Sequence, residues 1–480
     1  MAIRAVSRPI YFFACCFAVL LAIAINMGTA LAQAPPPGGG GGGGGGGGTG
    51  QASALAGIAG IEINPDGVLS LREFDPRLAK AQRDAALQGR AKGDVKASAL
   101  RKVSLQRLEK EVKRRLDSGI AIDSEIETVA GLTRVQYVIY LPGSQDIVVA
   151  GPAEEVIQDD SGRNVGLLSG NPTLRIDDLA LALRTFGPGN DKTDWISCSI
   201  DPTQEGLARM QAFHSSIGSI TANANVAAIA NGMKNALGLQ TVSIHGIPAS
   251  TRFAQTLVEA DYRMKMIGIG LEVPAIPLKS WVARANPSSG SANSMQRWYF
   301  LADYSSVKVS PDSTVLKLEG QGVKLVGEDE RVDRTGQRSK STKGGDAASK
   351  AFTKEFSEKF EKLAEVTPVF YDMRNMFDLS VCAAFIQQQD MYQKANWALS
   401  CFGDEKKFSI EVAQAPSNVE TAVNAIWRGS RLLTPIGGGV HISARKLASS
   451  ESTQADSGLL EDQKTATAPA DLAANQWWWD

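Results

Sequence analysis

Trp195-Ile-Ser-Cys-Ser-Ile-Asp-Pro-Thr-Gln204 decides the fold class. Trp195 to Ile200 reads as a strand. Asp201-Pro202-Thr203-Gln204 then offers an N-cap, a first-turn proline and a capping-box partner for a helix around Leu207 to Phe213. Downstream, a second helix spans Val226 to Leu237 and stops at Gly238. Val242-Ser243-Ile244 follows as a strand, and Ser250 caps a long helix, Arg252 to Met266. Upstream, Ile61-Glu62-Ile63 and Val68-Leu69-Ser70-Leu71 alternate around Asn64-Pro65-Asp66-Gly67, a hairpin signal. Leu105, Leu108, Val112 and Leu116 recur at helical spacing between Ser104 and Gly119. A second hairpin joins Val135–Leu141 to Ile147–Ala150 through Pro142-Gly143-Ser144, and Asp177 caps a short helix through Leu181 and Leu183. Further strands fall at 298–301, 315–318 and 323–326. A charged Gly/Ser/Lys-rich loop, Asp333 to Gly345, then precedes helices at 352–363 and 369–392. Strands and helices interleave, so the class is α+β, with mixed α/β as the alternative: mixed sheets with packed helices.

The ends read differently. Arg4 and Arg8 precede the uncharged apolar run Ile10 to Ile25, and Ala30-Leu31-Ala32 supplies small residues for cleavage before Gln33. Residues 1–32 are therefore expected to be a signal peptide, and no later segment is apolar enough to span a bilayer. Cys15 and Cys16 lie inside the apolar run, which argues against a lipid-modified cysteine. Pro35 to Gly48 makes residues 33–54 a flexible linker, since glycine has the most backbone entropy to lose and no side chain to bury. The body divides by expectation into lobes at 55–290 and 291–443, followed by a disordered tail at 444–480 rich in Ser, Ala, Thr and acidic residues. Its Trp477-Trp478-Trp479 ending reads either as an aromatic contact for a partner or membrane interface, or as incidental.

Removing Arg4 and Arg8 takes the basic count from 50 to 48 against 51 acidic residues, which excludes the basic footprint of a nucleic-acid binder. Cys198, Cys382 and Cys401 remain. They allow one disulfide, with Cys382 and Cys401 nearest in sequence, but a chain this long stabilises itself with a core and free buried thiols are favoured. With no C-x-x-C and three histidines in all, no cofactor or cysteine metal site is expected.

The long helix carries the sharpest candidates. Phe253, Leu257, Ala260, Met264 and Ile267 share one face, while Val258, Tyr262 and Met266 lie nearly opposite. Glu259 with Arg263 and Asp261 with Lys265 occupy the seams between, each at i,i+4. Such a helix is packed on both sides, and its charges are either self-satisfied scaffold pairs or, for Glu259 or Asp261, a general acid/base in a cleft. Glu62, Asn64, Asp66 and Glu73, with Gly67 at position six, approximate a calcium loop, although the flanks alternate as strands and favour a plain hairpin. Gly437-Gly438-Gly439 and Gly320-Gln321-Gly322 lack the Lys-Ser/Thr of a phosphate loop and read as a tight turn or bulge. Glu328-Asp329-Glu330 reads as a solvated turn. His214, His245 and His441 are scattered, and none of the familiar hydrolase, zinc-protease or kinase motifs occurs.

Several stretches resemble secreted planctomycete proteins that carry a domain of unknown function. They are Cys198 to Met210, Thr251 to Glu272, Gly320 to Glu330, Ala384 to Asp390, Glu420 to Ala425 and Thr434 to Val440. The resemblance runs from about Ile61 to Ile442 and leaves out the polyglycine and tryptophan ends. It implies export and one family-wide body, and it implies no reaction. The expected role is an exported protein, periplasmic, envelope-associated or extracellular. It would bind or support an envelope component or partner protein without catalysis. The alternative is an envelope hydrolase using carboxylates around Glu259 and Asp261.

Overall fold

Local turn and cap chemistry places most elements. The computed structural model describes residues 60–64, 67–71, 75–90, 92–217, 225–285, 294–340, 346–424 and 436–480. Residues 1–32, expected to be a signal peptide, the Pro/Gly stretch at 33–54 and the calcium-loop candidates Asp66 and Glu73 lie outside the described residues.

In chain order the strands are β1 (Ile61–Ile63), β2 (Val68–Leu71), β3 (Ala97–Ser104), β4 (Tyr137–Leu141), β5 (Asp146–Glu154), β6 (Val156–Gln158), β7 (Asn164–Gly166), β8 (Ile196–Pro202) and β9 (Leu239–His245). They continue as β10 (Ser294–Asp303), β11 (Ser306–Val309), β12 (Val315–Glu319), β13 (Gly322–Val332), β14 (Arg338–Lys340), β15 (Asn418–Glu420), β16 (Ile436–Ile442), β17 (Gln454–Ala455) and β18 (Trp478–Trp479). One nine-stranded sheet runs β1-β2-β15-β9-β8-β16-β10-β13-β14, and a seven-stranded sheet runs β17-β11-β12-β4-β5-β3-β18. Parallel pairs (β10 with β16, β2 with β15, β11 with β17) sit among antiparallel ones, which makes both sheets mixed and the class α+β.

The nine-stranded sheet corrects the two-lobe expectation. It takes β8 and β9 from one side of residue 290 and β10, β13 and β16 from the other, and Leu55–Asp480 forms a single unit. The Gly437-Gly438-Gly439 stretch is the reason it closes. These glycines form no tight turn. They lie within β16, between β8 and β10. A Cβ on Gly439 would strike the Cys198 carbonyl, and one on Gly438 (φ +143°) would strike the Trp298 carbonyl.

Three caps shift by a residue or two. β8 runs on through Pro202, so Thr203, whose hydroxyl accepts from Gly206 N at 3.0 Å, replaces Asp201 as the cap of helix Gln204–Ile217. Thr251, not Ser250, caps helix Arg252–Ile269. Asp177 lies in the first turn of helix Ile176–Thr185, behind Arg175 at the cap position. The expected helix at 352–363 is two helices, Ala347–Glu358 and Phe360–Val366, and the one after it spans Pro368–Gln388. Glu328-Asp329-Glu330 belongs to β13 instead of a turn. Its Glu330 is buried and takes Arg297 at 2.8 Å.

The tail is folded, which corrects the disorder expected at 444–480. β17 closes the β11 edge of the seven-stranded sheet and β18 closes the β3 edge, with Trp478 opposite Val103 and Trp479 opposite Lys102. Between them, Leu459 and Ala466 from the tail join Trp479 against Tyr137, Ile139, Leu141, Val148 and Val315 on the sheet's outer face. Asp480 pairs with Arg101 at 2.8 Å, and the Arg101 guanidinium lies 4.2 Å from the Trp478 ring centre.

The inner core joins both sheets through helices Arg252–Ile269 and Pro368–Gln388 and a cluster of Phe300, Phe352, Phe356, Phe360 and Phe370. Cys198, Cys382 and Cys401 are free and buried, in agreement with the preferred sequence reading. No described helix is long and apolar enough to cross a membrane.

Candidate functional site

Helix Arg252–Ile269 is apolar on two faces because it is sandwiched, with β8 and β16 on one side and helix Pro368–Gln388 on the other. Both seam pairs form. Arg263 Nε donates to Glu259 Oε1 at 3.0 Å, and Lys265 Nζ donates to Asp261 Oδ2 at 2.7 Å. Their surroundings divide them. Asp261 and Lys265 are sealed against the sheet, where Lys265 also donates to the Ile200 carbonyl at 3.0 Å. Burial raises the Asp261 carboxyl to about 6 against the pull of Lys265, and its Oδ1 has no hydrogen-bond partner.

Glu259 and Arg263 instead line a cavity of about 470 Å³. Arg163 and Glu272 complete its charged wall, and Leu71, Met266, Val273, Val366 and Pro368 contribute apolar surface. Arg263 reaches Glu272 at 3.0 Å and the Gly60 carbonyl at 3.1 Å. Gly60 is pressed so closely onto this pair that a Cβ there would meet Arg263 NH2 and Glu259 Oε1. Arg163 lies 3.9 Å from Glu259 and 3.3 Å from Asp372, Asp372 is 2.9 Å from Arg252, and Arg252 is 2.6 Å from Asp178. The result is an alternating chain, Asp178–Arg252–Asp372–Arg163–Glu259–Arg263–Glu272, with four acids and three arginines, buried throughout except at the half-buried Glu272. Burial pushes the Asp178 carboxyl up to about 6, opposed chiefly by Arg252, and also raises Glu272, whose Oε2 is buried without a partner.

Sequence reasoning found one link of this chain and missed Arg163, Asp178, Arg252, Glu272 and Asp372. Arg163 and Asp372 are 209 positions apart, and no local spacing signals such a pair. Of the calcium-loop candidates, Asn64 accepts from Val68 N at 2.9 Å through its side-chain oxygen and so closes the hairpin turn. Among the described residues no group of three or more His, Cys, Asp or Glu could hold a metal ion. Two of the scattered histidines do converge. His245 and His441 flank Ser197 in register across β9, β8 and β16, and Trp195 stacks on His245 at 5.0 Å and stands 6.0 Å from His441. Burial and then the neighbouring His245 charge lower the His441 pKa.

β8, β9 and the paired helix thus lie in one continuous stretch of chain. Residues 198–281 match the model of a family described as Protein of unknown function (DUF1598). The matched segment contains all four helix candidates, Glu259, Asp261, Arg263 and Lys265, together with Arg252 and Glu272. Three links of the charge chain, Asp178, Asp372 and Arg163, come from outside it. No curated protein and no solved structure matches the chain.

Proposed function

We propose that this is an exported, envelope-associated binding protein, of the secreted planctomycete kind its sequence resembles, whose ligand seat is the cavity beside helix Arg252–Ile269. The carrying observation is the pairing of Glu259. Its oxygen on the cavity wall is held by Arg263 at 3.0 Å with Arg163 at 3.9 Å. A carboxylate held by two guanidiniums from different elements is fixed in place, and a fixed charged group is a good rigid contact for a ligand. Apolar residues on the same wall supply burial for a ligand body.

The hydrolase reading retains one supporting observation, the position of Glu259 at a cavity. Asp261 does not join it, being sealed on the other side of the helix. The test uses the mature chain from Gln33 with envelopes of a host that encodes it. Sedimentation should carry protein into the pellet with no fragments released over time. Fragments that accumulate and vanish in Glu259→Gln would establish the hydrolase instead.

A further inference from the structure

Arg374 lies on another side of helix Pro368–Gln388, away from the Asp372 contacts. The buried arginines around this helix have carboxylate partners: Arg134 has Asp378, Arg163 has Asp372, and Arg252 has Asp178 and Asp372. Arg374 is the exception. It is 4% exposed, and among the described residues no carboxylate pairs with it and none of its nitrogens makes a hydrogen bond. Its Nε is buried without a partner, and its guanidinium lies 4.0 Å from the Tyr371 ring centre. The acid at i+4, Asp378, would ordinarily hold it. That acid is already engaged by Arg134 Nε at 2.7 Å and by the Tyr304 hydroxyl at 2.9 Å.

The Gly320-Gln321-Gly322 turn packs against this group. Gly322 has φ +86°, and a Cβ there would stand 3.1 Å from Arg374 Cγ and 3.3 Å from Arg134 NH2. The Gly320 carbonyl accepts from Arg134 NH1 at 2.9 Å. The Arg374 stem and the Arg134 guanidinium therefore both pack under a turn that has no side chain at Gly322, and the one carboxylate at hand, Asp378, serves Arg134. One positive charge is left over in a buried place, and a buried charge needs a partner. A guanidinium fork fits a planar carboxylate or a phosphate, and the stacked Tyr371 ring fixes its orientation.

We propose that Arg374, with Arg134 beside the Gly320-Gln321-Gly322 turn, binds a small oxyanion, the carboxylate or phosphate group of a ligand. The site does not depend on the cavity reading, because it shares no residue with that wall.

The experiment titrates the full mature chain with inorganic phosphate and, separately, with sodium acetate. Sodium chloride matches the ionic strength, and both calorimetry and thermal unfolding are read. Saturable binding should raise the midpoint by a few degrees, on the order expected for a ligand that binds only the folded state. Arg374→Lys should weaken binding about tenfold, since a point charge replaces a fork, and Arg374→Gln should abolish it. A response to phosphate alone assigns a phosphate group, and a response to acetate alone assigns a carboxylate. If Arg374→Gln fails to fold, arginine-labelled wild-type protein answers the question through movement of the Arg374 Nε–H resonance, assigned with the Lys variant. No saturable response to either anion, a response equal to that of chloride, or equal affinity in Arg374→Lys overturns the proposal.

Discussion

Glu259 Oε1 lies 3.0 Å from Arg263 Nε one turn along the same helix and 3.9 Å from Arg163 on a different hairpin. One oxygen thus joins a local pair to a long-range one, and the cavity wall inherits the rigidity of both. Truncating one member of such a buried chain leaves charges without partners. Arg163→Met should lower stability by about 3 to 5 kcal/mol in urea unfolding. A loss below about 1 kcal/mol would mean that the chain is solvated and contributes little to the wall.

The sealed Asp261 gives a pH signature. Its folded-state pKa, raised by burial to about 6, lies above the ordinary aspartate value, so the native state holds its proton more tightly than the unfolded chain does. The stability it contributes is full below about pH 4 and is lost as pH rises through about 6, by on the order of 3 kcal/mol. Asp178, raised to about 6 as well, adds in the same direction. Glu111 and Glu319, held near 2, act oppositely below about pH 4.5: Arg114 is the main cause for the first and a hydrogen bond from Ser306 for the second. Comparing wild type with Asp261→Asn between pH 4 and 7 isolates the term. The variant should lose part of the decline seen in wild type over that interval, and an unchanged slope would contradict the assignment.

Removing residues 449–480 should do more than shorten the chain. Both edge strands of the seven-stranded sheet, β17 and β18, leave with that segment, as does the cover of Tyr137, Ile139 and Leu141. An exposed sheet face with two open edges is an aggregation template. Light scattering should show the truncated chain associating where the same chain with its tail does not. The single change Trp479→Ala should cost about 3 to 5 kcal/mol as a buried aromatic truncation.

The three thiols should be silent in the native state. Cys198, Cys382 and Cys401 are buried and unpaired, and burial raises each thiol pKa. Iodoacetamide should label none of them before unfolding and all three afterwards, and reductant should leave the melting temperature unchanged. A mass two units lower without reductant would show a disulfide.

Elements whose cause is local were legible from sequence. Ser104 caps its helix by accepting from Arg107 N, Gly238 ends another, and the seam charges of the Arg252–Ile269 helix pair as their spacing requires. What failed was non-local. Asp201 has the chemistry of a cap, but β8 continues past it, and its carboxylate goes to Arg297 and Arg338. The tail lacks periodicity because it contributes isolated anchors such as Leu459 and Trp479, not an amphipathic element. One hint was present: Tyr137-Val-Ile-Tyr-Leu141 is apolar at every position and buried throughout, the mark of a strand covered on both faces. Half of the candidate quartet reaches the cavity, and the partners that complete its wall come from remote positions that leave no local pattern.

The most direct test of the cavity reading is envelope sedimentation of wild type against Ala275→Trp. Ala275 lines the cavity, is exposed and carries no charge, so a larger side chain there is a change to the seat that leaves every member of the charged chain in place. Binding at the cavity predicts that wild type pellets with envelopes and releases no fragments, while the Ala275→Trp protein, equally stable, stays in the supernatant. Equal pelleting of the two proteins, or fragments released over time by wild type, would contradict it.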